Sequence, residues 1–415
     1  SLAGLDMAEK KPDAAKKRFE AVLAKDPKNG QALLAVAEMA ARSGASKADV
    51  AALVVKAVDA NPTEPAPRLL LIDFHLRYKE ERQALSVAQN AVAAIPESAE
   101  LLDALGRAQL ANGDTNQAIT TLNKVAGMQS LSAQPLMRLA DAHMSAKNKD
   151  AAAQSLRKAL EVKSDLVDAQ RGLIMLSLDA KKYPEAIAIA RTVQKQRPKE
   201  AIGYILEGDV NAAQKNWESA IAAYRVGLKD APSSELAVKA HAALNGSNKA
   251  ADAEKFAVTW IKDHPADAAF QFYLGDYAIA RKDYAAAEKS YQSVIKTQPN
   301  NAIAYNNLAW VTGQLKKDGA IEQAETANKL APNQPAFMDT LAMLYSDKND
   351  YGKALEWQSK AVTLQPQNTL FKLNLAKIHL KGGKKDLAKK ELDELAKLGE
   401  KFPAHAEVAS LLKSM

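Results

Sequence analysis

Cysteine is absent from the chain. Its absence excludes disulfide bridges, thiol nucleophiles and thiolate metal sites. No stretch approaches the roughly eighteen consecutive apolar residues of a membrane-spanning helix, and no secretory leader is visible. Aromatic residues make up only 6% of the 415 positions, while alanine dominates the 47% hydrophobic share. Small side chains in bulk suit close helix–helix approach better than a few large cores. Charge of one sign does not dominate either. The 56 Lys and Arg are interleaved with 49 Asp and Glu for a net charge of +7. That pattern describes a solvated helical surface rather than a nucleic-acid-binding stripe. The one local excess is residues 372–401, with nine Lys against five acids, read as a lysine-rich terminal helix pair.

What the chain does have is a period. Pro27, Pro62, Pro96, Pro198, Pro232, Pro265, Pro299, Pro332 and Pro366 stand on one grid, with Ser130 and Ser164 at its two remaining points. The steps are 33 to 35 residues throughout. Twelve residues before each grid point lies a second column: Ala15, Val50, Ala84, Ala118, Ala152, Ala186, Ala220, Ala253, Ala287, Ala320, Ala354 and, at the same interval beyond, Ala388. A third column is small at Ala37, Gly106, Ala140, Gly208, Ala242, Gly275, Ala309, Ala342 and Ala376, and is broken by Ile72 and Ile174. Methyl-sized residues recurring at fixed spacing mark places where two helices touch.

Each unit is a helix–turn–helix hairpin. In residues 335–368, Met338, Leu341, Ala342 and Tyr345 follow the i, i+3, i+4, i+7 pattern of an amphipathic helix. Lys348-Asn349-Asp350 makes a polar turn, and Ala354, Leu355, Gln358 and Ala361 continue on a second helix that ends before Pro366. Asn29, Ser98, Ser132, Ser234, Asp267, Asn301 and Asn368 are placed to cap the following helix. The units divide as 1–29 (partial), 30–64, 65–98, 99–132, 133–166, 167–200, 201–234, 235–267, 268–301, 302–334, 335–368 and 369–405. Unit 235–267 lacks bulky residues at several core points and is expected to be looser. Residues 406–415 are expected to form a C-terminal capping helix, as a stacked array needs. Leu2, Ala3 and Asp6 align with the middle of a first helix, which leads to the expectation that this Ser-initiated chain continues a longer array.

This pattern resembles the tetratricopeptide repeat (TPR), with its W-x2-L-G-x2-Y, A-x3-F and P signature over 34 residues. Unit 268–301 supplies Leu274, Gly275, Ala287, Tyr291 and Pro299 in register; unit 201–234 supplies Tyr204, Gly208, Ala220, Tyr224 and Pro232; unit 302–334 supplies Tyr305, Leu308, Ala309, Ala320, Ala327 and Pro332. The resemblance covers nearly the whole chain. It implies an all-α fold, an α-solenoid superhelix of about twelve repeats, whose concave face is lined by the first helix of every unit. The lining points lie one, four, eight and eleven residues into each unit. They, with Arg138 one residue off them, name the candidate binding residues: Arg107, Arg138, Arg171, Phe272, Asp276, Asn306, Trp310 and Met343, with Asp103, Asp141, Asp168 and Asp339 interleaved. The arginines either form a basic stretch or pair with the neighbouring aspartates. Phe272 and Trp310 either anchor a ligand or pack between repeats.

Catalytic chemistry finds no foothold. No H-E-x-x-H, G-x-S-x-G or G-x-G-x-x-G occurs. His75, His143 and His379 occupy the repeat's tyrosine position, too far apart to share a metal, and are read as packing residues. KGGKKD at 381–386 is read as a turn inside a repeat rather than a phosphate loop. The expected function is therefore a non-catalytic scaffold or adaptor, without a cofactor, that binds an extended peptide or protein segment, with polysaccharide as a further ligand class and nucleic acid excluded. The chaperone-binding carboxylate clamp of some TPR proteins is not expected, because Phe272 and Asp276 stand where it needs Lys and Asn. The alanine-, lysine- and glutamine-rich, cysteine-free texture is similar to TPR proteins of bacterial exopolysaccharide and PEP-CTERM (exosortase) systems, which would imply a periplasmic or envelope-associated place in a Gram-negative bacterium, with the cytoplasm as the alternative. The other functional expectation is the TPR arm of a larger polysaccharide-secretion protein or glycosyltransferase.

Overall fold

A computed structural model describes residues 12–415, with side chains from residue 14 onward. The alignment of Leu2, Ala3 and Asp6 with a first helix lies outside the described residues. All regular structure among the described residues is helical, from Pro12–Lys25 to His405–Lys413, with one short 3-10 turn at Gly399–Lys401. Two compact units are present, Ser1–Asn216 and Trp217–Met415.

Within each unit, helices of about three and a half turns alternate as hairpins, for example Ala99–Asn112 followed by Thr115–Met128. Within each unit first helices pack against their own second helices, as Ala99–Asn112 does against Thr115–Met128, and second helices pack against the next first helix, as Thr115–Met128 does against Ala133–Ser145. First helices also touch one another directly. In the first unit Pro65–Arg77 meets Ala99–Asn112, which meets Ala133–Ser145; in the second unit Ala302–Gln314 meets Pro335–Asp347, which meets Thr369–Lys381. This is the two-layered stacking of an α-solenoid, and it makes the first-helix layer of each unit a continuous face.

The punctuation is local chemistry. Asn29, Ser98, Asp267, Asn301 and Asn368 each accept a hydrogen bond from a backbone N–H of the helix that follows. At 233–234 the capping residue is Ser233, which accepts from the Leu236 N–H; Ser234 is already inside the helix and donates its hydroxyl to Asp267 instead. Between the two helices of successive hairpins, one residue adopts left-handed backbone angles. These residues are Gly44, Lys79, Gly113, Lys147, Lys181, Lys215, Asn248, Lys282, Lys316, Asn349 and Gly383. Lysine fills this position more often than glycine does, although its Cβ is disfavoured there. The turn is therefore imposed by the packing of the helices it joins and not by a turn-forming residue. Gly383 places KGGKKD in this same turn.

The alanine column is the core of every hairpin. All its members are at most 6% exposed, and nine of the twelve are at 0%. The third column obeys a rule that the sequence alone concealed. Where its residue is small, the residue facing it from the second helix is large in most hairpins, with Ala309 and Ala324, both small and in one cluster, as the exception. A Cβ on Gly106 would stand 2.7 Å from Leu122, and one on Gly275 would stand 2.7 Å from Tyr291. Where the first-helix residue is large, the sizes reverse: Ile72 lies in one core cluster with Ala88, and Ile174 in one with Ala190. The two isoleucines are thus not defects in the pattern. They conserve the volume of a contact whose two halves have been exchanged.

Ala242 corrects the assignment of this column. It is exposed, and His241, 3% exposed, holds the inward position. At the equivalent second-helix position stands Ala257, buried with Ala237, Trp260 and Phe270, so a large residue is again matched by a small one in register. Unit 235–267 buries Leu236, Leu244 and Trp260 of its own and is further packed by the next hairpin: the rings of Phe270, Tyr273 and Tyr277 all lie edge-on to His241 at 5.1 to 6.1 Å. At the far end, Val408 of the last helix is buried with Leu373, Ala376, Leu392, Leu395 and Phe402, so this helix covers the final hairpin.

Candidate binding surface

In the first unit the candidate arginines are already engaged. Arg107 Nη1 lies 2.7 Å from Asp73 Oδ1 and its Nε lies 3.5 Å from Asp103 Oδ2, while Arg138 bonds that same Asp103. The alternating chain Asp73–Arg107–Asp103–Arg138 therefore crosses three successive first helices. It borders a cleft of about 270 Å³ that Leu69 and Pro135 also line. Asp103 Oδ1 is buried and receives no hydrogen bond. Arg171 is exposed and makes no ion pair among the described residues, and Asp141 and Asp168 are likewise exposed.

In the second unit the candidate residues are held by neutral groups. Phe272 stands edge-on to Tyr291 at 5.5 Å. The Tyr291 hydroxyl donates to Asp276, and Asn307 Nδ2 donates to Tyr291 at 3.4 Å. Tyr291 is fully buried, and burial together with the Asp276 carboxylate pushes its phenol far up. Asn306 Nδ2 donates to Asn307 Oδ1 at 3.3 Å, which leaves Asn306 Oδ1 without a donor. Trp310 is 37% exposed and is steadied edge-on by Tyr284 at 5.6 Å. Met343 packs, half-buried, on the cluster of Ala309, Leu341, Ala342 and Tyr345. Of the two aromatic candidates, Phe272 is turned toward the core of its own hairpin and Trp310 reaches solvent.

Four polar neighbours of the candidate residues were not among the binding residues proposed from the sequence: Tyr291, Asn307, Gln358 and Asn374. The legible signal was Gln358, a polar residue at an inward-facing point of a second helix. It is at 0% exposure, and its Nε2 donates to Asp339 Oδ1 at 2.6 Å and to the Phe371 carbonyl at 3.0 Å.

No group of three potential metal ligands converges on one point among the described residues. His75 pairs with Glu80 at 2.7 Å. His143 and His379 are lowered by burial. The strongest case is His241, pushed down to about 4 by burial and by the nearby Arg281 charge. The Tyr273 hydroxyl and Asn245 Nδ2 both point at its Nδ1, at 2.9 and 3.3 Å, and Tyr277 faces its ring. Protonation at Nδ1 would turn the Asn245 amide away and oblige the Tyr273 hydroxyl to accept instead of donate. The unfolded chain binds this proton near the ordinary histidine value of about 6.5. The stabilisation is thus complete above pH 6.5 and is lost as the pH falls from there toward 4, by on the order of 3 kcal/mol. Urea melts across that range should show the decline. His241→Ile, the residue type of Ile72 and Ile174, should flatten it relative to the unaltered chain, and parallel curves would disprove the assignment.

Comparison with known proteins agrees with this architecture. The tetratricopeptide repeat family model matches residues 5–65, 104–166, 172–235, 239–302 and 274–311, and a second tetratricopeptide repeat model matches 337–368. A curated relative, small glutamine-rich tetratricopeptide repeat-containing protein 2 of Mycosarcoma maydis, is 29% identical over 103 residues, which are 25% of this chain and 29% of the relative. Among solved structures, the Naa15/Naa10 complex bound to HypK-THB includes a chain that aligns with a TM-score of 0.42 and 17% identity, over 94% of this chain and 67% of that one. Pseudomonas aeruginosa PilF aligns with a TM-score of 0.41 and 20% identity, over 52% of this chain and 99% of its own. No helix among the described residues is long and apolar enough to cross a membrane.

Proposed function

The chain belongs to the tetratricopeptide repeat family, and from that premise we propose that it is a non-catalytic scaffold whose first-helix face holds an extended polypeptide segment. The observation that carries this reading is Trp310. A large aromatic residue packs edge-on against Tyr284, stays 37% exposed, and shares the first-helix layer with Met343 and the exposed Ile303. A tryptophan packed on one side yet open to solvent is a typical anchor for a partner's side chain, because burying it on association releases water at little entropic cost.

The test is an array of random-sequence peptides probed with the full chain. Retention of a subset is expected, and Trp310→Ala should weaken it about tenfold or more. Absence of any retained peptide would remove the proposal. A glycan array is the contrasting measurement, since a polysaccharide ligand would favour more exposed aromatics than Trp310 supplies. A place in the envelope of a Gram-negative bacterium, in exopolysaccharide export or protein sorting, is proposed on the alanine-, lysine- and glutamine-rich, cysteine-free texture alone. Cell fractionation tests it, and a purely cytoplasmic pool would refute it.

A further inference from the structure

Charge is handled differently on the first-helix faces of the two units. In the first, Asp73 and Asp103 are bonded to Arg107 and Arg138. In the second, Asp276 and Asp339 meet only neutral donors, whereas Asp347 at the end of the same helix as Asp339 pairs with Lys381 at 2.8 Å. Asp276 receives the Tyr291 hydroxyl. Asp339 receives Gln358 Nε2 at 2.6 Å, and Asn374 Nδ2 at 2.9 and 3.1 Å to its two oxygens. No ion pair reaches either carboxylate among the described residues. Lys377, whose charge is felt at Asp339, is bonded to Glu407 at 2.5 Å. Amide donors orient a carboxylate, but they leave its charge uncancelled.

The support beneath Asp339 is unusual for this chain. Gln358 faces Ala342 at the position where other hairpins place Leu122, Leu156, Tyr291 or Leu392. It is wholly buried, and its Oε1 receives no hydrogen bond. An aliphatic side chain would fill that space without the desolvation cost of an amide. What the amide does instead is hold Asp339 in place from below, while Asn374 holds it from the next first helix. A charged group fixed by a buried polar support is the construction of a recognition site. The same first-helix layer of this unit carries exposed apolar side chains: Ile303 is 55% exposed, Leu370 56% and Trp310 37%, with Met343 half-buried. Such side chains suit the aliphatic stem of a long cationic residue.

We propose that the first-helix face of the second unit selects a polypeptide segment bearing a lysine or arginine, whose cation pairs with Asp339. This rests on the scaffold reading above and adds the chemistry of the partner. Charge complementarity decides the occupant. An acidic segment would place a second uncompensated anion beside Asp339, and a purely apolar one would bury the carboxylate without a counter-ion.

The test uses random-sequence peptides with one position fixed as arginine, lysine, norleucine or glutamate, against the full chain, Asp339→Asn and Glu356→Gln. Glu356 is a control on the second-helix side, paired with Lys360 in solvent. The unaltered chain and Glu356→Gln should prefer arginine or lysine over norleucine by about tenfold, and Asp339→Asn should lose that preference while still retaining the norleucine peptides. Equal retention of basic and norleucine peptides, or a preference that survives in Asp339→Asn, overturns the inference and leaves the scaffold reading standing. Retention of no peptide overturns both. Should Asp339→Asn fail to fold, the salt dependence of the unaltered chain decides, because a preference that high salt does not weaken is not an ion pair.

Discussion

Aspartate at position 287 or 354 will lower the unfolding free energy by several kcal/mol, on the order of 3–5. Both alanines are at 0% exposure. Ala287 lies in one cluster with Tyr291, Leu308 and Val311, and Ala354 in one with Leu341, Ala342, Tyr345 and Ile378. A carboxylate at either place has no cation within the cluster and no room for water, so it must stay charged and unsolvated or push the two helices apart. The neighbouring Ala285 is exposed in the first turn of the same helix. Ala285→Asp should change stability by no more than about 0.5 kcal/mol, because the charge stays in water and faces the positive end of the helix dipole. Urea denaturation of the three variants reads the contrast. Melting curves for Ala287→Asp and Ala354→Asp that overlie the unaltered one would break the claim that this column is the hairpin contact.

The second large effect is a rescue. Gly106→Ile drives a branched side chain into Leu122, whose side chain already stands where a Cβ would reach 2.7 Å. Overpacking of this kind costs about 1–3 kcal/mol, and Leu122→Ala alone costs about 2–5 by leaving a cavity. The double variant recreates the Ile72 with Ala88 pairing found one repeat earlier. It should therefore be more stable than the sum of the two losses by about 2 kcal/mol, read as the coupling energy of a double-mutant cycle. Simple additivity would show that the reversed pairs at Ile72 and Ile174 owe nothing to volume exchange.

Both predictions mark where sequence reasoning was sufficient and where it was not. The alanine column, the proline grid and the caps at Asn29, Ser98, Asp267, Asn301 and Asn368 were legible, because each depends on a contact between residues close in sequence or at a constant offset. The column that carries Ile72, Ile174 and His241 was only partly legible. Its rule couples positions sixteen residues apart through side-chain volume, and a small residue at 242 looked as suitable as the one the fold turns inward. On the candidate surface, residue types could say that Arg107 and Arg138 stand near aspartates. They could not say that one carboxylate, Asp103, holds both guanidinium groups while Asp339 holds none.

By itself the sequence determined the repeat, its hairpin and its close helix contacts, since a 34-residue period of small side chains admits few other packings. Which side chains meet across neighbouring first helices was decided only by the tertiary structure. Those contacts join residues about one repeat apart whose pairing depends on helix rotation, a quantity that periodicity leaves free. That rotation puts Arg107 against Asp73 in one unit and Asn374 against Asp339 in the other, and so gives two faces built on the same repeat different charges to offer a partner.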